Sequence, residues 1–212
     1  MKKLLKELKT PFLISISFLV ICGIVYPLLL TGIGQLTFPE KANGSLIVAD
    51  GKIVGSKLIG QDFTDSKFMK GRPSAINYNV YTLQEKEENL YQGVKSGSDN
   101  FASSNPKLKE RIQQKAEEII KNNPKLEKKD IPIDLITSSG SGLDPHISLK
   151  AALIQVPALS QTTGISVAKL EDIVEQNLKH KDSNVFGEQI VNVLGVNLAI
   201  AKELNLIKDI SK

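Results

Sequence analysis

The sequence predicts an α+β (or α/β) domain with a small sheet, exported behind one N-terminal transmembrane helix. Three observations predict it. No Lys, Arg, Asp or Glu occurs between Lys9 and Glu40. Two β-rich runs flank Asp50-Gly51 in SLIVADGKIVGS, from Ser45 to Ser56. Beyond them, apolar residues recur at helical spacing in stretches separated by short β-like runs.

The apolar stretch is long enough to cross a bilayer core, which takes about 20 residues. Residues 1–11 are expected as a cytoplasmic tail, 12–36 as the span and 40–212 as the exported domain. Lys2, Lys3, Lys6 and Lys9 precede the run and no basic cluster follows it directly. Basic residues stay inside, so the N-terminus is expected in the cytoplasm. A cleaved signal has a shorter apolar core and a small-residue cleavage site, which this run lacks. Cys22 resembles a lipidation site only faintly, because bulky Ile21 precedes it and the apolar run continues beyond it. Pro27 lies inside the span, with Gly23, Gly32, Gly34, Ser15, Ser17 and Thr31 around it. Small residues occur where membrane helices pack on one another, and Gly and Pro are also common in such helices generally.

Charge and composition exclude several functions. The chain of 212 residues carries a formal net charge of +4. Four lysines against Glu7 place +3 of it in residues 1–9 and leave +1 for the rest. A basic nucleic-acid-binding face is therefore not expected. Cys22 is the only cysteine, which excludes an internal disulfide and a thiolate metal cluster. His146 and His180 are far apart, so no zinc site is expected.

Asp50-Gly51 reads as a hairpin turn, because both residues accept positive φ. Leu58 to Asn79 reads as a short helix followed by a turn at Gly71-Arg72-Pro73. Asn77 to Ser104 is polar and reads as an irregular insertion. Asn105 and Pro106 start a helix with Leu108, Ile112, Ala116, Ile119 and Ile120 on one face, stopped at Asn122-Asn123-Pro124. Ile131 to Thr137 reads as a strand and Ser138 to His146 as a glycine loop. Ser148 to Thr163 reads as helix broken at Pro157. Ser166 caps another helix with Leu170, Ile173, Val174 and Leu178 inward. A strand over Glu188–Val193 and a helix over Asn197–Leu206 complete the chain.

The loop Ser139, Gly140, Ser141, Gly142, Leu143, Asp144, Pro145, His146 draws attention chemically. Ser141, Asp144 and His146 are the residue types of a hydrolase. The spacing is not that of a nucleophile elbow, which places Ser as Gly-x-Ser-x-Gly, nor is there the Gly-Lys-Ser/Thr of a phosphate loop. Successive backbone N–H groups can hold an anion. The plainer reading is a sharp turn between elements, with His146 hydrogen-bonded inside the fold. A membrane-tethered hydrolase using Ser141, Asp144 and His146 is the alternative function. Arg72 with Tyr78, Tyr81 and Tyr91 reads equally as a contact surface or as a solvated loop. The lysine-rich run from Lys125 to Lys129 reads as a solvated face.

Several segments resemble the C subunit of the Kdp potassium-transporting P-type ATPase. They are GSLI at Gly44–Ile47, VGSKLIGQDF at Val54–Phe63, GRPSA at Gly71–Ala75 and IPIDLITSSGSGLDPHIS at Ile131–Ser148, then AALIQVPAL at Ala151–Leu159 and VNVLGVNLAIA at Val191–Ala201. The resemblance runs nearly end to end. The chain departs from it at Leu149, where proline is usual, at Ala158, where a basic residue is common, and in the middle loop SGSDNFASSNP. The resemblance implies an accessory subunit in the bacterial plasma membrane, partnered by a channel-like potassium-binding subunit, a P-type ATPase catalytic subunit and a small membrane peptide. Potassium is the transported ion. No catalytic residue and no metal are implied, and Gly23, Pro27, Gly32, Gly34 and Arg72 are candidate partner contacts. The family is also described as a catalytic chaperone that raises the pump's ATP affinity, with a glutamine matching Gln155 touching nucleotide. The charge pattern places Gln155 outside, away from ATP, and favours an internal hydrogen-bonding role for it.

Overall fold

The computed structural model describes residues 2–90, 93–124, 126–179 and 187–211. The chain divides into two compact units, Met1–Leu46 and Ile47–Lys212.

The first unit is helical. Helix α1 (Lys2–Val20) runs into one π turn (Ile21–Val25) and then α2 (Tyr26–Thr37); a short α3 (Pro39–Ala42) follows. Within it, Glu7–Thr37 is long and apolar enough to cross a membrane, with a mean hydropathy of 2.5 over an 18-residue window. The π turn has a local cause. Pro27 has no N–H and its ring opposes the carbonyl four residues back. The helix widens just before it, and the Tyr26 N–H reaches the Ile21 carbonyl five residues back. Ser17 Oγ donates to the Leu13 carbonyl and Thr37 Oγ1 to the Ile33 carbonyl, each at 2.8 Å. Both hydroxyls are thereby satisfied inside the helix, as an apolar solvent demands. Gly23 and Gly32 have open space where a side chain would stand.

The second unit is α+β. The hairpin β1 (Leu46–Ala49) and β2 (Lys52–Ser56) turns through Asp50 at φ 47° and Gly51 at φ 76°, the paired positive φ of a type I′ turn. Then come α4 (Leu83–Glu87), α5 (Pro106–Asn122), β3 (His146–Ser148), α6 (Leu149–Leu153), α7 (Val156–Thr163), α8 (Val167–Gln176), β4 (Leu178–Lys179), β5 (Ile190–Asn192), α9 (Val193–Glu203) and β6 (Ile210–Ser211). They make two three-stranded sheets, β2-β1-β6 and β3-β5-β4. Strand β6 pairs antiparallel with β1, and Asp50 holds the same edge by accepting from the Lys208 and Asp209 N–H groups at 3.0 and 2.9 Å. In the other sheet Ile147 stands opposite Val191, both buried, against α6, α8 and α9.

Four helices start on a capping side chain. Asn105, Ser148, Ser166 and Asn192 each accept a backbone N–H from the first turn of α5, α6, α8 and α9. Helix α7 ends on Gly164 in the left-handed region, at φ 75°.

Four expectations need correction. Ile131–Thr137 is not a strand: Pro132 offers no ladder donor, and the chain makes 3₁₀ turns at Lys128–Asp130 and Ile133–Leu135. That turn seats the buried Asp134, whose carboxyl accepts from the Ser148 N–H (2.6 Å) and hydroxyl (3.3 Å). No α-helix occupies 58–76; the segment is irregular, with a 3₁₀ turn at Asn77–Asn79. The last long helix begins at Val193, four residues before the expected Asn197, which lies inside it. Leu178 belongs to β4, not to α8. His180, Tyr91 and Lys125 lie outside the described residues.

Irregular chain needs other partners for its buried backbone groups. Asn197, 2% exposed, provides them at Met69. Its Oδ1 accepts from the Met69 N–H at 2.7 Å and its Nδ2 donates to the Met69 carbonyl at 2.9 Å. We expect Asn197→Leu to strand both groups, each at about 1–3 kcal/mol. Urea unfolding of the full chain in detergent should show a total loss of about 3 kcal/mol.

Candidate functional site

The glycine loop and the irregular segment 58–79 form one packed unit. Gly60 makes the closest approach. Its N–H donates to the Leu143 carbonyl at 2.8 Å, and a Cβ there would run into the Asp144 carbonyl oxygen and the Tyr78 ring, 2.7 Å away. Gly142 is equally confined: a Cβ would meet the Ile76 side chain and, at 3.0 Å, the Gly97 carbonyl. Gly140 has open space. Ser74 Oγ donates to the Gly142 carbonyl at 2.8 Å and accepts from the Ile76 and Tyr78 N–H groups. Pro145 is buried, and its carbonyl receives the Val193 N–H at 3.0 Å. The loop is thus tied to the start of α9 as well.

The polar residues of the motif have local duties. Asp144 Oδ1 accepts from the His146 N–H at 3.0 Å, a two-residue turn that aims the chain into β3. Asp144 Oδ2 lies 3.7 Å from Arg72, a half-buried ion pair. Tyr78 OH donates to the Arg72 carbonyl at 2.7 Å. Tyr78 reaches that position through three successive left-handed residues, Asn77, Tyr78 and Asn79, at φ 48°, 50° and 57°. Burial first, and then the Asp144 charge, push the Tyr78 phenol up to about 12. Burial also lowers the His146 imidazole, against the opposing pull of Asp144.

This arrangement gives the hydrolase alternative no support. Ser141 Oγ lies 3.3 Å from Ser96 Oγ and accepts from the Leu143 N–H at 3.2 Å. Ser139 Oγ accepts from the Ser141 N–H. His146 Nδ1 is 3.9 Å from Asp144, beyond hydrogen-bond reach. No Ser141–His146 bond exists among the described residues. The loop is a joint: the Ser139 and Ser141 hydroxyls and one Asp144 oxygen accept backbone N–H groups, and the other Asp144 oxygen faces Arg72.

Gln155 lies just before α7, and its amide is fully engaged. Oε1 accepts from the Lys70 N–H at 2.8 Å; Nε2 donates to the Lys70 and Ala151 carbonyls, both at 3.1 Å. With Asn197 on Met69, two amides grip consecutive residues as a short strand would. Lys70 turns its ammonium onto the Phe63 and Asp65 carbonyls, and burial lowers its pKa. Sequence reasoning missed Asn197 and Lys70. The signal for Asn197 was present: one amide inside the apolar run VNVLGVNLAIA has to find a partner. Among the described residues no group of His, Cys, Asp and Glu is placed to hold a metal.

The packing makes two predictions. Gly60→Ala should cost about 1–3 kcal/mol by overpacking, whereas Gly140→Ala should leave the urea midpoint within measurement error. The Tyr78 pKa is raised, so its contribution is complete below the unfolded value of about 10 and is lost as pH climbs through about 12. Absorbance titration at alkaline pH should show a late phenolate step that Tyr78→Phe removes.

The family described as "K+-transporting ATPase, c chain" (KdpC) matches residues 8–202. A Potassium-transporting ATPase KdpC subunit of Clostridium kluyveri is 55% identical over 206 residues, covering 97% of this chain and 98% of that relative. Its counterpart in Clostridioides difficile is 51% identical, over 96% of this chain and 100% of that relative. The one in Caldanaerobacter subterraneus is 42% identical, over 94% and 96%. A long apolar N-terminal helix, a small α+β domain and a match along nearly the whole length agree: the chain belongs to the KdpC family, the c chain of K+-transporting ATPases.

Proposed function

We propose that the chain is a non-catalytic accessory subunit of an ATP-driven, high-affinity potassium uptake pump in the bacterial plasma membrane. The N-terminus lies in the cytoplasm and the α+β domain on the outer side. The observation that carries this reading is the family match across both the membrane helix and the domain. Two features support the non-catalytic part. The sequence has no DKTG phosphorylation motif, and the glycine loop spends its polar groups on its own backbone.

The partners in this reading are a channel-like potassium-binding subunit, the P-type catalytic subunit and a small membrane peptide. The helix packs on partner helices through Gly23, Pro27, Gly32 and Gly34; at Gly23 and Gly32 open space lets another backbone approach. Arg72 stays with Asp144 at the rim of the glycine loop. Gln155 acts as an internal clasp, and the chain assists ATP turnover only through the assembled complex. Its role is to stabilise that complex.

Cells that lack their own copy and express a tagged version of this chain with the other subunits test the proposal. The catalytic and channel-like subunits should co-purify with the tag, and growth at micromolar potassium should require the chain. Ser141→Ala and His146→Ala should preserve both. Absence of any pump subunit from the purified material would contradict the proposal.

A further inference from the structure

The π turn at Ile21–Val25 strips one backbone acceptor of its donors. A helical carbonyl takes the N–H four residues on, or five on in a π turn. For the Cys22 carbonyl those residues are Tyr26 and Pro27. The Tyr26 N–H goes to the Ile21 carbonyl, and Pro27 has no N–H to give. A serine or threonine three or four residues on can supply a hydroxyl instead, as Ser17 and Thr37 do for Leu13 and Ile33. Beyond Cys22 those positions hold Val25 and Tyr26, and a phenol on its rigid ring cannot fold back onto its own helix. Among the described residues no donor is left for the Cys22 carbonyl.

Depth makes this costly. Cys22 stands midway between Glu7 and Thr37, the ends of the apolar helix. A rise of about 1.5 Å per residue puts both ends roughly 22 Å away, so the carbonyl lies inside a hydrocarbon core about 30 Å thick. Lipid tails donate no hydrogen bond, and an unpaired backbone group among them is strongly unfavourable. A second copy of the chain is a poor source. Packed in parallel, it offers at this depth the weak Cys22 thiol and, one turn on, the phenol of Tyr26, whose bulk would hold the two backbones apart. A charged donor is costly at mid-membrane. Gly23, the next residue, has open space where a side chain would stand, so a neighbouring helix can come close. What fits is a neutral side-chain donor on a different chain.

We propose that the Cys22 carbonyl anchors the membrane helix in the assembled ATPase by accepting a hydrogen bond, at mid-membrane depth, from a hydroxyl or carboxamide side chain on one transmembrane helix of another subunit. The proposal rests on the accessory-subunit reading and gives the helix a polar contact that fixes its depth and its facing side. Pro27 and the π turn then create an acceptor as well as an irregularity in the helix.

Cys22 is the only cysteine, so cysteine carrying carbon-13 at its carbonyl labels this single backbone position. Infrared spectra of the labelled full chain are compared in phosphatidylcholine vesicles by itself and after reconstitution with the unlabelled pump subunits. The isotope-shifted amide band should lie at the position of a free carbonyl in the chain alone and move to lower wavenumber in the complex. In Pro27→Ala the restored N–H should hold the band low in both samples. A band of the unmodified chain that stays at one position in both samples, free or bonded, overturns the anchor, while co-purification of the pump subunits still upholds the accessory role. p-Benzoylphenylalanine in place of Tyr26, one turn from Cys22 on the same face, then identifies the neighbouring helix by its photo-adduct. Replacing the hydroxyl or carboxamide residue of that helix at the adduct by alanine should return the band to the free position. An adduct with lipid or a second copy alone, or a band unmoved by that replacement, also overturns the anchor. If the chain recovers no pump subunit, the accessory role falls and the anchor falls with it.

Discussion

Everything in the α+β domain hangs on how a largely irregular chain satisfies its backbone. The strands are short, two to five residues each, so sheets alone cannot meet that need. Side-chain amides take their place. Asn197 and Gln155 grip Met69 and Lys70 with both a donor and an acceptor, and this pins the 58–79 segment onto α9 and the α6–α7 corner. Met69 is then fully buried. A hydrophobic side chain alone would fix a position loosely; a two-way amide fixes backbone register as well. Met69 and Lys70 in turn hold Gly71, Arg72 and Ser74 where they meet the glycine loop.

The glycine loop follows from that constraint. Gly60 and Gly142 let two backbones approach within hydrogen-bonding distance, and any larger residue would force them apart. Asp144, Ser74 and Pro145 then direct the chain into β3 and α9. A motif that looks chemically equipped in sequence is spent on making one sharp junction. Its Ser, Asp and His types are those of a hydrolase, but Ser139, Ser141 and Asp144 accept backbone N–H groups in local turns, and the His146 ring stands 3.9 Å from Asp144.

Much of the fold was legible in the sequence where the signal was local. The Asp50-Gly51 hairpin, the helix capped by Asn105 and the one capped by Ser166 are each set by residues within a few positions. At Ile131–Thr137 the β-rich composition yields to Pro132, which offers no ladder donor, and to Asp134, which turns toward Ser148. The start of α9 was misplaced because Asn192 and Asn197 are the same residue type with opposite duties, one a cap and one a buried clasp. Long-range pairing was not legible at all: nothing near Gln155 names Lys70. The membrane helix was plain from its lack of charge, whereas its π turn needed the exact phase of Pro27.

The orientation of that helix decides what the domain can reach. In the proposed orientation, which rests on the four lysines ahead of the apolar run, the amide clasps, the glycine loop and Gln155 lie outside, on the side opposite to cytoplasmic ATP. A structural Gln155 and an external domain are then two parts of one account. The most direct measurement introduces a protease site directly after Glu40 and exposes intact spheroplasts and inverted vesicles to the protease. The account predicts cleavage in spheroplasts and protection in inverted vesicles. Cleavage in inverted vesicles with protection in spheroplasts would contradict it.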